Sequence, residues 1–263
     1  MDSEPAISVC DVCFAYGEEE ALHNVSFDLP RRSFAVVVGP NGGGKTTLLK
    51  LLLGEIAPRF GSVRVLGSAP GAARRRVGYV PQSVVFDPSF PITVLEAVML
   101  GRVATRTLGG FSRRDREMAG SALSRVGLDG FGERPFSALS GGQRQRVVVA
   151  QALCAAPELY LLDEPTANVD AATERDLVEI FADLAKEATV VMVSHNLGVV
   201  AARATHLLCV NRGADLHVLG AQGGETSLRP LDKGAMAVVM NRNPEHIEHL
   251  LEASLSPHRG QHC

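Results

Sequence analysis

Tryptophan is missing from this chain of 263 residues, and aromatic residues of all kinds make up only 5% of it. Cysteine is sparse as well: five residues, Cys10, Cys13, Cys154, Cys209 and Cys263, spread from one end to the other. An odd and scattered set excludes a disulfide scaffold. Cys10 and Cys13 do form C-x-x-C, but no second pair completes a zinc site. On a regular strand, residues three apart also point to opposite faces. The expectation is therefore reduced thiols. No charge of one sign dominates: 26 basic residues stand against 29 acidic ones, for a net charge of -3 and a pI near 6.2. That balance excludes a nucleic-acid partner held by bulk charge. No apolar run approaches the ~18 residues that a helix needs to cross a bilayer; the longest are of the kind Phe34-Ala35-Val36-Val37-Val38. The first residues, MDSEPAISV, are acidic and lack the basic-then-apolar layout of a signal peptide. The expectation is a cytoplasmic chain that reaches a membrane only through a partner. What is present is ordinary globular material, 46% hydrophobic and 21% charged. The length suits one domain with a modest sub-domain.

Periodicity organises the chain. Short β-rich runs fill the first third: Ile7 to Phe14, Val25 to Leu29, Phe34 to Val38, Ser62 to Val65 and Val77 to Val80. A helix starts near Lys45 and continues through Leu48 to Leu53. From about Thr93 to Ala155 the pattern is helical, with Leu95, Val98 and Met99, and then Ala122, Leu123 and Val126, at helical spacing. Leu159 to Leu162 and Thr189 to Val193 are unbroken apolar runs of strand length, the pattern of parallel strands buried on both faces. A helix over Ala172 to Glu187 lies between them and completes a β-α-β unit. The reading is an α/β core with a helical insertion. Beyond Gly213 the pattern weakens. Gly220 to Gly234 reads as loop, and Asn243 to Leu255 as one amphipathic helix.

Chemistry enters at Gly39-Pro40-Asn41-Gly42-Gly43-Gly44-Lys45-Thr46-Thr47. The run fits G-x-x-x-x-G-K-[ST], follows an apolar strand and precedes a helix, which is the context the motif requires. Glycines let successive N–H groups turn toward one anion, and the helix N-terminus adds positive dipole at the same point. Lys45 supplies a mobile cation for the β- and γ-phosphates of a nucleotide, and the Thr46 hydroxyl is a ligand for Mg2+. The second signal is Asp163-Glu164 at the end of the apolar strand Leu159 to Leu162. Open α/β sheets bind ligands at that end. Asp163 is placed to hold Mg2+ through water, and Glu164 to polarise an attacking water. Neighbours at a strand end diverge in direction, so the two need not share a role.

At Leu139-Ser140-Gly141-Gly142-Gln143 the sequence resembles the signature of the ABC-type ATPases. The order of the other motifs is similar too: Gln82 after Tyr79-Val80-Pro81, then Asp163-Glu164, Ala167-Asn168-Val169-Asp170 and Ser194-His195. The resemblance covers about Val9 to Val210. It implies the ABC ATPase fold, a P-loop NTPase RecA-like α/β core with an antiparallel β subdomain and an inserted helical subdomain. On this reading residues 1–219 form the ATPase domain, with the helical part at about 93–155, and 220–263 form an extension. The resemblance also implies roles. Tyr16 stacks on adenine, residues 39–47 cradle the phosphates of ATP, and Gln82 contacts Mg2+ and the water. Ser140, Gly141, Gly142 and Gln143 meet the γ-phosphate of a nucleotide held by an opposite subunit. Asp170 couples the two sites, and His195 switches near the γ-phosphate. Ser140 is at the same time a good N-cap for the helix that follows. The implied assembly is a homodimer that sandwiches two ATP, since one chain supplies cradle, ligands and base but not all of the charge stabilisation that phosphoryl transfer needs.

The segment FPITVLEAVMLGR, with Cys209-Val210-Asn211-Arg212 after the last strand, looks like the zinc/manganese uptake branch of that family. The resemblance implies a peripheral subunit on the cytoplasmic face of the membrane. Its partners would be an integral-membrane permease docked near Phe86 to Arg102 and, indirectly, a periplasmic or lipid-anchored metal-binding protein. An ATPase of an iron-chelate importer and a soluble ABC ATPase of cluster assembly remain as alternatives. His246 and His249 in the tail share a helix face, which reads first as a solvated face and second as a weak regulatory metal site.

Overall fold

A computed structural model describes residues 4–83, 87, 89–105, 110–167, 169–194, 196–222 and 225–227. Its centre is a six-stranded sheet built from β3 (Phe34–Val38), β5 (Val77–Val80), β6 (Leu159–Asp163), β7 (Thr189–Val193), β8 (His206–Asn211) and β9 (Gly213–Val218). The strand order is β5-β6-β7-β3-β8-β9; every pair is parallel except β8 with β9. The apolar runs read as doubly buried strands are just that: β3, β6 and β7 are buried at every position. Their side chains divide alternately between two cores. Phe34, Val36, Tyr160, Leu162, Val190 and Met192 enter one. Ala35, Val37, Leu159, Leu161, Val191 and Val193 enter the other. Each fully buried side chain of this size contributes about 1.5–3 kcal/mol, so the sheet anchors both layers that cover it.

The second core is closed by α1 (Lys45–Leu53) and by a small antiparallel sheet ordered β2-β1-β4, made of β1 (Ile7–Tyr16), β2 (Glu19–Leu29) and β4 (Phe60–Val65). Leu48, Leu49, Leu51 and Leu52 are each 1% exposed, because α1 lies between two sheets and has little outer face. A short α2 (Pro70–Ala73) precedes β5. The first core is closed by a helical layer: α3 (Val94–Met99), α4 (Arg113–Arg125), α5 (Gly141–Ala155) and α6 (Ala171–Leu184). α7 (Leu197–Val200) follows β7. α3 and α4 open with capping boxes, Thr93 with Glu96 and Ser112 with Asp115. The α/β core with a helical insertion that the sequence pattern predicts, and the antiparallel β part that the resemblance implies, are what form.

Four local readings change. β2 starts at Glu19, not Val25, because its first half is a polar edge paired to Phe14, Ala15 and Tyr16. β9 extends the core sheet where the pattern had weakened; it is an antiparallel edge strand with no residue fully buried, so it lacks an apolar run. Gly220–Gln222 pairs with Glu225–Ser227 as β10 and β11, in a stretch read as loop. Finally, Asp11 takes φ +50 and shifts the register of β1, so that Val9 and Val12, three apart, are both buried. The alternation argument that sends Cys10 and Cys13 to opposite faces therefore fails at this bulge. Both thiols are free, and among the described residues no group of three or more His, Cys, Asp or Glu converges on a metal position.

Candidate nucleotide site

Because β3, β5, β6 and β7 run parallel, the segments that leave their C-terminal ends share one edge of the sheet. Those segments are the loop 39–47, Pro81 to Ser83, Asp163-Glu164, and Ser194 onward. Two glycines make the loop possible. Gly39 has φ +154, and a Cβ there would stand 1.9 Å from the Val210 carbonyl oxygen; Gly44 has φ +101, and a Cβ would meet the Ala21 oxygen at 2.6 Å. The backbone turns between β8 and β2 only without side chains at these points. The Gly43 carbonyl also accepts from the Arg212 N–H at 2.9 Å, which ties the loop to the end of β8. α1 then begins at Gly44 with no side-chain cap. Its first N–H groups are left for an anion rather than for the chain's own oxygens.

The Lys45 ammonium lies inside this loop, 2.8 Å from the Gly39 oxygen and 2.9 Å from that of Pro40. Burial lowers its pKa, while the carboxylates of Glu164 and Asp163 pull in the other direction. A cation held mostly out of water beside two acids gains from an incoming polyanion. Thr46 is exposed and Thr47 buried. Asn41 and Gly42 are exposed on the rim of the loop; Pro40 and Gly43 sit behind them. Asp163 is 5% exposed. Glu164 is half-buried and leaves the strand with φ +48, its N–H donating to the Val193 oxygen at 3.2 Å. The two acids thus differ in burial, and the backbone turns between them. A non-glycine residue in that conformation costs about 1–3 kcal/mol and persists only where the surroundings enforce it. Gln82 Nε2 donates to Glu164 Oε2 at 2.9 Å, a link between the β5 and β6 ends that the sequence did not disclose.

Thr46, Gln82 and Asp163 offer oxygen donors only, a set that fits Mg2+ and not a soft metal. Tyr16 is 48% exposed at the end of β1 and packs edge-on against Phe14, ring centres 4.9 Å apart. About half of its surface stays open to solvent.

Ser140, Gly141, Gly142 and Gln143 stand apart from this group. They open α5 on the other face of the sheet from α1, and among the described residues no hydrogen bond joins them to the loop 39–47. Ser140 Oγ accepts from the Gln143 N–H at 3.3 Å, and the Gln143 side chain accepts from the Ser140 N–H at 2.9 Å. Further along α5, Gln145 is buried and donates to the Pro81 oxygen at 3.4 Å, just before Gln82. Asp170 caps α6, accepting from the N–H groups of Ala172 and Thr173. His195, Asn168 and the tail with His246 and His249 lie outside the described residues.

Glu174 and Asn196 were not foreseen. Asn196 Nδ2 donates to Glu174 Oε2 at 3.0 Å, and Thr166 Oγ1 donates to Glu174 Oε1 at 3.3 Å. The available signal was Glu174's position four residues after the cap Asp170, which brings it back over the helix start.

The profile of the ABC transporter family matches residues 22–167. The chain is 43% identical to the "Probable metal transport system ATP-binding protein" of Chlamydia trachomatis, over 71% of this chain and 80% of that one. It is 38% identical to the manganese transport system ATP-binding protein MntB of Bacillus subtilis, covering 72% and 76%. With the zinc transport system ATP-binding protein TroB of Treponema pallidum it shares 39%, covering 78% of each. Among solved structures it is similar to the dimeric bacterial ABC transporter cassette MJ0796, with a TM-score of 0.72 and 28% identity over 82% of this chain and all of that one.

Proposed function

Since the chain belongs to the ABC transporter family, as an ATP-binding subunit, we propose that it hydrolyses ATP to drive uptake of a divalent transition metal ion, zinc or manganese, through a separate membrane permease. The observation that carries the chemistry is the meeting of Lys45, Gln82, Asp163 and Glu164 at one edge of the sheet. The cargo follows from the relatives, which are named for metal, manganese and zinc transport.

ATP enters with its phosphates in the loop 39–47. The N–H groups of the loop and of α1, together with Lys45, take up the charge on the β- and γ-phosphates. Tyr16 stacks on the base. Thr46 and Gln82, and Asp163 through water, would hold Mg2+, which would supply further neutralisation of the phosphate oxygens. Glu164 accepts a hydrogen bond from the attacking water and draws its proton as the water oxygen bonds to the γ-phosphorus and the bond to the β–γ bridging oxygen breaks, so that ADP leaves with that oxygen and phosphate is released. Gln82 holds the Glu164 carboxylate by its amide and connects it to the β5 end. His195 acts near the γ-phosphate. Ser140 to Gln143 complete the site of a second copy of the chain, so that two ATP lie in a homodimer and Asp170 links one site to the other. The described helices include none long and apolar enough to span a membrane, and the permease docks instead. Support for its place comes from the groove lined by Val77, Tyr79, Pro81, Gly101 and Gln151. Leu100 and Val103, 45% and 54% exposed, lie one residue before and two after Gly101. Cargo is handed to that permease by a metal-binding protein outside the membrane.

The test is Glu164→Gln. The amide retains shape but cannot take a proton, so turnover falls by about 10²–10⁴, ATP affinity stays, and ATP-bound dimer accumulates in size-exclusion chromatography. Continued ATPase at the wild-type rate removes Glu164 as the base.

A further inference from the structure

We infer that Glu174 is a positioning residue for ATP hydrolysis, its one carboxylate holding together the loop that follows Glu164 and the loop that follows β7. The inference rests on the ATPase reading above. Glu174 Oε1 accepts from Thr166 Oγ1 at 3.3 Å, and Oε2 accepts from Asn196 Nδ2 at 3.0 Å. Thr166 is two residues beyond Glu164 and four before Asp170. Asn196 follows Ser194, whose Oγ accepts the Asn196 N–H at 3.1 Å. The Ser194 N–H itself donates to the Val37 oxygen at 3.2 Å, at the root of the loop 39–47. Glu174 thus joins, through two short links, the segments that carry the proposed base and the end of the phosphate strand.

The residue is well mounted for this task. It sits in the first turn of α6, its N–H bonded to the Asp170 oxygen at 2.9 Å. Three residues further on, Leu177, Val178 and then Phe181 are buried against the sheet at 1% exposure or less. A helix fixed in this way presents the carboxylate at a set height above the sheet edge. The loop after Glu164 needs such an anchor. Glu164 is in the left-handed region, a conformation that relaxes unless something outside the residue enforces it. Glu164 itself donates its N–H to Val193, but the backbone bonds of the loop beyond it are short-range ones, Ala167 N–H to the Glu164 oxygen and Val169 N–H to the Thr166 oxygen. The Thr166 hydroxyl reaches outside the loop, and its partner is Glu174. A carboxylate suits the position because it offers two oxygens to two donors at once. Displacing a reacting group by about 1 Å is enough to slow a reaction on the order of a hundred-fold, so a partial loss of anchoring has a measurable effect without any loss of binding.

The experiment is steady-state ATP hydrolysis by the full chain. Glu174→Ala lowers kcat on the order of ten-fold and leaves the KM for ATP within about two-fold. Glu174→Gln, which keeps one acceptor for Asn196 and a donor for Thr166, restores most of the rate. Asn196→Ala and the double variant Glu174→Ala with Asn196→Ala test the link directly: the double is no slower than the slower single, because the two changes remove one interaction. If Glu174→Ala does not fold, Thr166→Val and Asn196→Ala each cut one arm, and each must lower kcat with KM preserved. Unchanged kcat in these variants overturns the inference, as does a fully multiplicative double variant or a loss that Glu174→Gln fails to restore. A wild-type chain that binds ATP and never cleaves it overturns the ATPase reading and this inference with it. A normal wild type with an unaffected Glu174→Ala overturns the inference alone.

Discussion

Two helices in this molecule begin where an anion is expected, and they begin differently. α1 opens at Gly44, in the left-handed region, with no side-chain cap. α5 opens at Ser140 with a reciprocal capping box that occupies the N–H groups of Ser140 and Gln143. α3, α4 and α6 also open with side-chain caps. The uncapped start therefore stands out among the described α-helices of six or more residues. Every helix presents about four N–H groups without internal partners. In α1 no side-chain cap takes them up, so this start forgoes the stability that a cap adds. In α5 two of them are used locally, and the Ser140 hydroxyl and Gln143 amide hold each other in place on a surface with no hydrogen bond to the chain's own phosphate loop. The first start belongs to the cluster of Lys45, Asp163 and Glu164 within one chain. The second stands apart from that cluster, and in the function proposed above it meets the nucleotide of the second copy in the homodimer.

The comparison is tested hardest at Lys45. Lys45→Ala removes a charge-assisted contact worth about 1.5–3 kcal/mol, so nucleotide affinity measured by titration calorimetry falls roughly 10- to 100-fold. Unchanged affinity would contradict the cradle at α1. Ser140→Ala is the counterpart at α5. It costs about 1 kcal/mol of stability through the lost cap, seen as a lower denaturant midpoint. Nucleotide affinity of the dilute monomer stays as in the wild type, while ATPase turnover and ATP-dependent dimer both fall. If Ser140→Ala weakened monomer binding as Lys45→Ala does, the two helix starts would serve one site in one chain, and the contrast between them would be lost.

Both helix starts were legible from sequence, for different reasons. The loop 39–47 is announced by glycines whose spacing has few other uses, and Ser140 by a residue type that favours helix starts. The strands Phe34–Val38 and Thr189–Val193 were placed to the residue, because burial on both faces leaves an unbroken apolar run. Where burial is one-sided or absent the signal fades. β9 and the first half of β2 are edge strands with polar residues, held by pairing with neighbours that a local pattern does not contain. The Asp11 bulge defeated a period-of-two argument at Cys10 and Cys13 for the same reason: one residue of register shift is set by the partner strand. At the site, the sequence supplied residue types and not contacts. Nothing local pairs Gln82 with Glu164 or Glu174 with Asn196, since these pairs are 82 and 22 residues apart and meet only when parallel strands align their ends.

The smallest effect separates two capped helices by the chemistry of their caps. Asp170 caps α6 as a carboxylate, and its pKa is lowered first by the Thr173 backbone N–H and then by the Thr173 hydroxyl. A carboxyl whose folded value lies below the unfolded one stabilises fully above the unfolded value, and that contribution drains as pH falls through the folded value. The ordinary aspartate value is 3.8, so the start of α6 weakens below that pH. The Ser140–Gln143 box at α5 holds no ionising group and has no such dependence. Amide NMR shifts of Ala172 and Thr173 therefore move on acid titration below pH 3.8 while those of Gln143 and Arg144 hold, and in Asp170→Asn the α6 response flattens. Parallel movement at both helix starts would mean that acid loosens the whole domain at once. The caps would then be passengers of global unfolding, and the difference between α5 and α6 would carry no separate energy.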